Sequence, residues 1–120
     1  MNRIVLALLA ALALLVATTT ASASARATKL SGTVGPGFTI TLKDATGKKV
    51  KTLKPGKYTI TVSDKSSIHN FHLKGKGLNK EITGVGFTGK KSVTVTLKAG
   101  KYTYVCDPHA SSMKGSFTVK

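Results

Sequence analysis

The 120-residue sequence is short of several residue types, and cysteine is the most informative of them. Cys106 is the only cysteine, so no disulfide can form within the chain. In an exported protein, an unpaired thiol is a liability unless it is buried or bound to a metal. The single cysteine therefore favours a ligand role for Cys106 before its neighbours are considered.

The sequence also lacks an apolar run long enough for a transmembrane helix, which needs about 20 residues. Its longest run covers residues 4–16, after a short positive start and before small residues of the A-x-A type. This layout predicts that residues 1–25 are a secretory signal peptide, cleaved between Ala23 and Ala25, and that residues 26–120 form one domain. We expect export to the periplasm or the cell surface, with an uncleaved membrane anchor as the alternative.

Acidic residues are scarce, since 19 Lys and Arg stand against four Asp and Glu, a net charge of +15. Without residues 1–25 the chain keeps a charge of +14. Such a field attracts anionic partners. Tryptophan is absent and the pattern of stacking aromatics is missing, so no nucleic-acid partner is expected. Acidic proteins, anionic membrane lipids and anionic cell-wall polymers stay open, as does the simpler reading that the lysines only solvate the surface.

After residue 26 no segment has a sustained helical period of apolar residues. Segments such as 58–63 and 92–98 instead alternate polar and apolar residues and are rich in Val, Ile, Thr and Tyr. Turns that contain Gly and Pro separate these segments. This pattern predicts an all-β fold, a sandwich or barrel of about 7–8 strands. The Gly-rich stretch 75–86 is interpreted as a long crossover connection of a Greek key.

One internal repeat is present. Residues 52–59 agree with residues 96–103 at seven of eight positions. The first copy leads towards His69 and the second leads through Cys106 to His109, so we predict that both ligand segments lie at the same end of the fold. The alternative is that the repeat only reflects two similar turn-and-strand solutions.

The densest chemistry lies between residues 104 and 113, where Cys106, His109 and Met113 fall within eight residues. A thiolate, an imidazole and a thioether suit copper, and a trigonal blue-copper site needs one Cys, two His and a distant Met. The second imidazole must come from His69 or His72. These two lie on opposite faces of a strand, and the position of His69 at a strand entry favours it.

Three other readings of these residues stay open. In the first reading, Cys106 and His109 are structural residues. In the second reading, Cys106 is a nucleophile and His109 is its base. The third is a zinc site. Closed zinc sites usually contain several thiolates and no thioether, so Met113 favours copper.

Two segments, residues 67–71 and residues 104–115, resemble the cupredoxins, specifically the plastocyanin/azurin-like small blue copper proteins. The resemblance extends from about residue 28 to residue 120. It implies a cupredoxin-like β-sandwich that binds one type 1 copper ion. The equatorial ligands would be His69, Cys106 and His109, and the axial ligand would be Met113.

The resemblance also implies two supporting residues. Asn70 is expected to help hold the cysteine loop, with its backbone N–H donating towards the sulfur of Cys106. Asp107 stands where the family often has Ser or Thr, and it adds a negative charge near the metal or caps the turn.

An electron carrier is the function that the resemblance implies, with His109, Pro108, Ala110 and Phe87 as candidates for an apolar surface through which electrons pass. We expect an acidic redox partner and a monomeric protein. The alternative is a copper-delivery protein in metal homeostasis. An enzyme is not expected, because three histidines cannot supply further metal centres.

Overall fold

The computed structural model describes residues 17–18 and 26–120. The predicted signal peptide thus lies almost entirely outside the described residues, and its cleavage stays a prediction. No helix among the described residues is long and apolar enough to span a membrane.

The described residues form nine β-strands in two sheets, which confirms the all-β sandwich. The first sheet has the order β2-β1-β4-β7 and the second the order β3-β9-β8-β5-β6. A 3₁₀ turn covers Asp107–His109. The strands are β1 (Thr28–Val34), β2 (Ile40–Lys43), β3 (Thr52–Leu53), β4 (Gly56–Asp64), β5 (Phe71–Gly75), β6 (Leu78–Thr83), β7 (Gly89–Leu97), β8 (Gly100–Val105) and β9 (Lys114–Val119).

The alternation in the sequence explains the sandwich. In β4, Tyr58, Ile60 and Val62 are buried, whereas Lys57 is exposed and the threonines between them are half-buried. Because successive side chains point to opposite faces of a strand, the apolar set faces the second sheet and the polar set faces water. The inner faces of both sheets together form one hydrophobic core.

Two tyrosines fill the core of the second sheet, and each requires a glycine beside it. Tyr102 and Tyr104 each stack on a phenylalanine ring, with ring centroids 5.3 and 5.6 Å apart. Tyr102 lies opposite Gly75 and Tyr104 lies opposite Gly115 across the ladder. A Cβ atom would approach the tyrosine rings to 2.2 Å at Gly75 and 2.3 Å at Gly115. Only glycine therefore lets these rings lie flat against the neighbouring strand.

The two copies of the sequence repeat form the same structural motif. The hydroxyl of Tyr58 donates to the backbone carbonyl of Lys54 at 2.6 Å, and that of Tyr102 donates to the carbonyl of Lys98 at 3.0 Å. Each bond ties a tyrosine back to the turn that precedes its strand, as in a tyrosine corner. One copy begins β4 and the other begins β8, in different sheets. As predicted, both strands then run to the same end of the sandwich.

The interpretation of residues 75–86 as a long crossover is wrong. Strands β5 and β6 form an antiparallel hairpin, in which Gly75 pairs with Leu78 around a turn with φ of +66° at Gly77. Ile82 is buried and Leu78 packs against the core, so this stretch has the inward-facing residues of a strand. The chain crosses to the first sheet only after β6, through residues 84–88.

Candidate metal centre

The candidate ligands come from two connections at one end of the sandwich. The loop between β4 and β5 carries His69, and the loop between β8 and β9 carries Cys106, His109 and Met113. Backbone hydrogen bonds close the second loop, from the N–H of Cys106 to the carbonyl of Met113 at 3.0 Å and from the N–H of Met113 to the carbonyl of His109 at 2.8 Å. The loop is therefore a tight, internally bonded unit.

Three donor atoms converge on one point. The Nδ1 atoms of His69 and His109 are 3.1 Å apart, and the sulfur of Cys106 lies 3.6 Å from the first and 3.5 Å from the second. A triangle with these sides has a centre about 2.0 Å from each atom, close to the metal–nitrogen distances of about 2.0–2.1 Å in proteins. The donor set therefore fits one metal ion without rearrangement.

The centre is largely sealed from water. Cys106 and His69 are 0% exposed and Met113 is 1% exposed, whereas His109 is only partly buried. Met113 belongs to the same buried cluster as Cys106. A thiol and two imidazoles without a carboxylate suit copper or zinc far better than calcium or magnesium.

Packing orients the two imidazoles. The Nε2 atom of His69 is buried and has no hydrogen-bond partner among the described residues. The two imidazole rings meet edge to face, with centroids 4.8 Å apart. The ring of Phe38 stands edge-on to both, 5.2 Å from His69 and 5.0 Å from His109. Aromatic contacts therefore orient His69. In most metal sites, a hydrogen bond to the second ring nitrogen of the histidine has this role.

Asn70 links the two loops. Its side-chain oxygen accepts from the backbone N–H of Asp107 at 2.7 Å, and its amide group donates to the carboxylates of Asp107 at 2.7 Å and Glu81 at 3.0 Å. The expected hydrogen bond from the Asn70 backbone to the sulfur of Cys106 is not among those found in residues 26–120. The side chain, which is buried, instead connects the loop of His69 to the residue after Cys106.

A second layer of contacts surrounds Asp107. His72 reaches its carboxylate with Nδ1 at 2.7 Å and contacts Asn79 with Nε2, and Lys74 lies 3.6 Å from the carboxylate. Partial burial raises the pKa of Asp107, but the hydrogen bonds from Asn70 and His72 and the nearby positive charges outweigh burial, so this pKa lies below its ordinary value. Asp107 is therefore held as a carboxylate beside the centre.

The network includes two residues, Asn79 and Glu81, that the sequence pattern does not single out. His72 lies on the outer face, away from the donor cluster, as its spacing from His69 predicts. Across the β5–β6 ladder it pairs with Glu81, and Asn79 lies two residues before Glu81 on the same face. Recognition of the hairpin would have placed all three side chains together.

Family membership follows from a comparison with known proteins. Residues 39–120, which include all four candidate ligands, match the model of the copper binding proteins of the plastocyanin/azurin family. The chain belongs to this family. Copper is therefore its metal, in agreement with the donor set. A search of curated proteins finds no match to the sequence.

Solved structures agree with this membership. Rusticyanin from Thiobacillus ferrooxidans is 26% identical, with a TM-score of 0.55 over 81% of this chain and 79% of that chain. A methionine-to-glutamine variant of rusticyanin gives a TM-score of 0.57 at 24% identity, over 81% of this chain and 80% of that chain. The likeness to the variant shows a shared fold, and this chain is thus a cupredoxin in architecture as well as in sequence.

The copper end of this cupredoxin carries an apolar surface. Phe38, Ile68 and Val85 are the large apolar residues exposed among the described residues, at 62%, 52% and 54%. Each lies in a loop of this end, and the loop of Val85 is tied to that of Ile68 by a hydrogen bond from the N–H of Gly86 to the carbonyl of Ser67. We call Phe38, Ile68 and Val85 the apolar surface below.

This surface differs in part from the one that the sequence predicted. Pro108 and Ala110 are exposed beside His109, as expected, but Phe87 is half-buried, with the ammonium group of Lys91 4.5 Å from its ring centre. Phe38 was not foreseen. A single aromatic residue next to a Gly-Pro-Gly turn is no signal by itself, because isolated exposed apolar residues are common.

Proposed function

We propose that the protein is an exported electron carrier in which His69, Cys106 and His109 hold one copper ion and Met113 is a weak fourth ligand. One observation carries the proposal: the thiol of Cys106 and the Nδ1 atoms of His69 and His109 lie within 3.1–3.6 Å of one another. A site whose donors are already in place needs little rearrangement when the charge of its metal changes.

When bound, copper supplies one-electron chemistry by alternating between Cu(I) and Cu(II). The chain keeps the donor atoms still. The backbone hydrogen bonds within residues 106–113 fix the ligand loop, and Asn70 fastens this loop to the segment that carries His69. The buried surroundings exclude water from Cys106, which protects the thiolate and limits solvent reorganisation.

His109 is the exit for the electron in this proposal. It is the one ligand side chain that is only partly buried, and the edge of Phe38 lies against its ring. A partner that covers the apolar surface would bring its own redox centre close to His109 and expel water from the contact. An apolar contact without fixed ion pairs also allows fast release after transfer.

The partner that fits best is an acidic protein. Exposed lysines lie beside the copper end, with Lys65 directly after β4 and Lys90 and Lys91 at the start of β7. Long-range attraction would steer an acidic partner and fall with ionic strength, because the Debye length shrinks from about 30 Å at 0.01 M salt to about 8 Å at 0.15 M. Export is supported by the sequence of residues 1–25. A carrier rather than an enzyme is favoured by membership of the plastocyanin/azurin family. A second group of possible metal ligands, His72, Glu81 and Asp107, is half-buried to exposed and contains no thiol.

Voltammetry of the copper-loaded protein, together with exchange kinetics, tests this function. An electron carrier gives one reversible one-electron couple, fast electron self-exchange and slow loss of copper to a chelator. A Val85→Ser variant should keep the couple but slow exchange, with an exposed Thr96→Ala variant as the control. Rapid copper loss with no reversible couple would contradict the proposal and favour copper delivery.

A further inference from the structure

The outer face of the second sheet carries a groove that the copper site does not use. It has a volume of about 470 Å³ and is lined by Lys49, Lys101, Thr103, Lys114, Gly115 and Ser116. This volume falls in the usual range for small-molecule sites, about 300–1,000 Å³. The lining has three ammonium groups, two hydroxyl groups and no aromatic ring, so it offers donors of hydrogen bonds and positive charge. We call it the lysine groove.

The register of β8 and β9 sets the arrangement of these donors. Thr103 lies directly opposite Ser116, so their Cβ atoms are about 5 Å apart. Lys101 stands two residues before Thr103 and Lys114 two residues before Ser116, and the strands are antiparallel. One lysine therefore lies on each side of the hydroxyl pair, along the same face. Lys49 adds a third positive charge from the loop before β3.

No acidic side chain balances these lysines. The ion pairs among the described residues are those of His72 and Lys74 with Asp107. Asp64 is buried and Glu81 accepts from Asn70, while Asp44 accepts from the N–H groups and hydroxyl of its own turn. Lysines without a counter-charge around a concave surface repel one another, and a multivalent anion in the groove would relieve that repulsion.

We propose that the lysine groove binds an oxyanion of the phosphate class. A tetrahedral oxyanion presents several acceptors at once, which matches two hydroxyl donors flanked by ammonium groups. The oxyanion is either free phosphate or a phosphoryl group on a polymer or a lipid, and the chemistry of the groove is the same for these sources. The groove lies next to the copper loop, since Lys114 directly follows Met113, but its binding does not depend on electron transfer.

Titration of the Cu(I)-loaded protein, followed by amide NMR, tests the proposal. The probes are inorganic phosphate, polyphosphate and phosphatidylglycerol vesicles, each at constant ionic strength, with chloride as the reference. Saturable shifts confined to the amides of residues 101–103 and 114–116 are the expected result. Saturation with free phosphate identifies the free ion as the ligand, and saturation only with polyphosphate or vesicles identifies the attached group.

Two matched triple variants separate a site from general attraction. The Lys49→Gln, Lys101→Gln and Lys114→Gln variant should bind about tenfold more weakly, equivalent to about 1.4 kcal/mol. The control replaces three exposed lysines of the first sheet, with the same loss of charge: Lys29→Gln, Lys57→Gln and Lys90→Gln. Equal weakening in both variants, or shifts scattered over the whole surface, would overturn the proposal. Unfolding curves without anion verify that both variants are folded.

Discussion

Replacement of Asn70 by aspartate tests the link between the two ligand loops. The amide group of Asn70 donates to two carboxylates, those of Asp107 and Glu81, at 2.7 and 3.0 Å. In the Asn70→Asp variant, an oxygen takes the place of this donor and faces both carboxylates. The acceptor for the backbone N–H of Asp107 is kept, so the change acts on the two donated bonds alone.

The expected decrease in the free energy of unfolding has two contributions. Hydrogen bonds to charged groups contribute about 1.5–3 kcal/mol each. Repulsion between unit charges at 4 Å adds between about 1 and 4 kcal/mol, and the lower end applies because Asp107 and Glu81 are partly exposed to water. The free energy of unfolding should thus fall by about 4 kcal/mol or more at pH 7, which lowers Tm by about 16 °C or more in a domain of this size.

The pH dependence has a definite sign. Two neighbouring carboxylates raise the pKa of the new aspartate, so its penalty is largest at neutral pH and is relieved as acidification returns a proton to the site. The stability gap to the natural protein should narrow between about pH 7 and pH 4. Urea unfolding of both proteins across this range, followed by circular dichroism, measures the gap.

Asn79→Asp is the matched control, because it makes the same chemical change in the same network. Asn79 accepts from Nε2 of His72, and a carboxylate accepts at least as well. Its stability should stay within about 0.5 kcal/mol of the natural protein. Equal losses in the two variants, or an Asn70→Asp variant as stable as the natural protein, would refute the account of this link.

Three further predictions concern single residues. Tyr102→Phe removes a buried hydroxyl that both donates and accepts at 3.0 Å, and should lower the free energy of unfolding in urea by about 1–2 kcal/mol; an unchanged midpoint would contradict this. Gly115→Ala forces a methyl group against Tyr104 and should cost about 1–3 kcal/mol or more, whereas Gly37→Ala, with open space around it, should not. The pKa of Asp107 lies below 3.8, so its stabilising contribution is present above about pH 4 and is lost as pH falls through the folded value; acid unfolding curves of Asp107→Asn should lack this component.

The alternation of residues in the sequence was enough to predict the sandwich, because strands such as β4 bury every second side chain. The hairpin of β5 and β6 was missed for a physical reason. Its residues 78–83 carry three polar side chains in a row, Asn79, Lys80 and Glu81, so the period-two signal is weak. The pairing of this edge strand comes from its neighbour β5 and from the turn at Gly77, not from its own pattern.

The candidate ligands were predictable because they are concentrated in short segments with distinctive chemistry. The surroundings were not, because they depend on contacts between distant parts of the chain. Phe38 reaches both imidazoles from a loop that lies more than 30 residues before His69. Glu81 meets Asn70 only after the β5–β6 register is set. Residues brought together by register and loop packing leave no local pattern in a sequence.

Cys106, His69 and His109 together should hold copper in this protein. The visible spectrum of the purified protein after addition of one equivalent of Cu(II) tests this ligand set. We expect an intense blue sulfur-to-copper band that a mild reductant bleaches and that is absent from Cys106→Ser. A colourless copper complex, or a band that survives in Cys106→Ser, would contradict it.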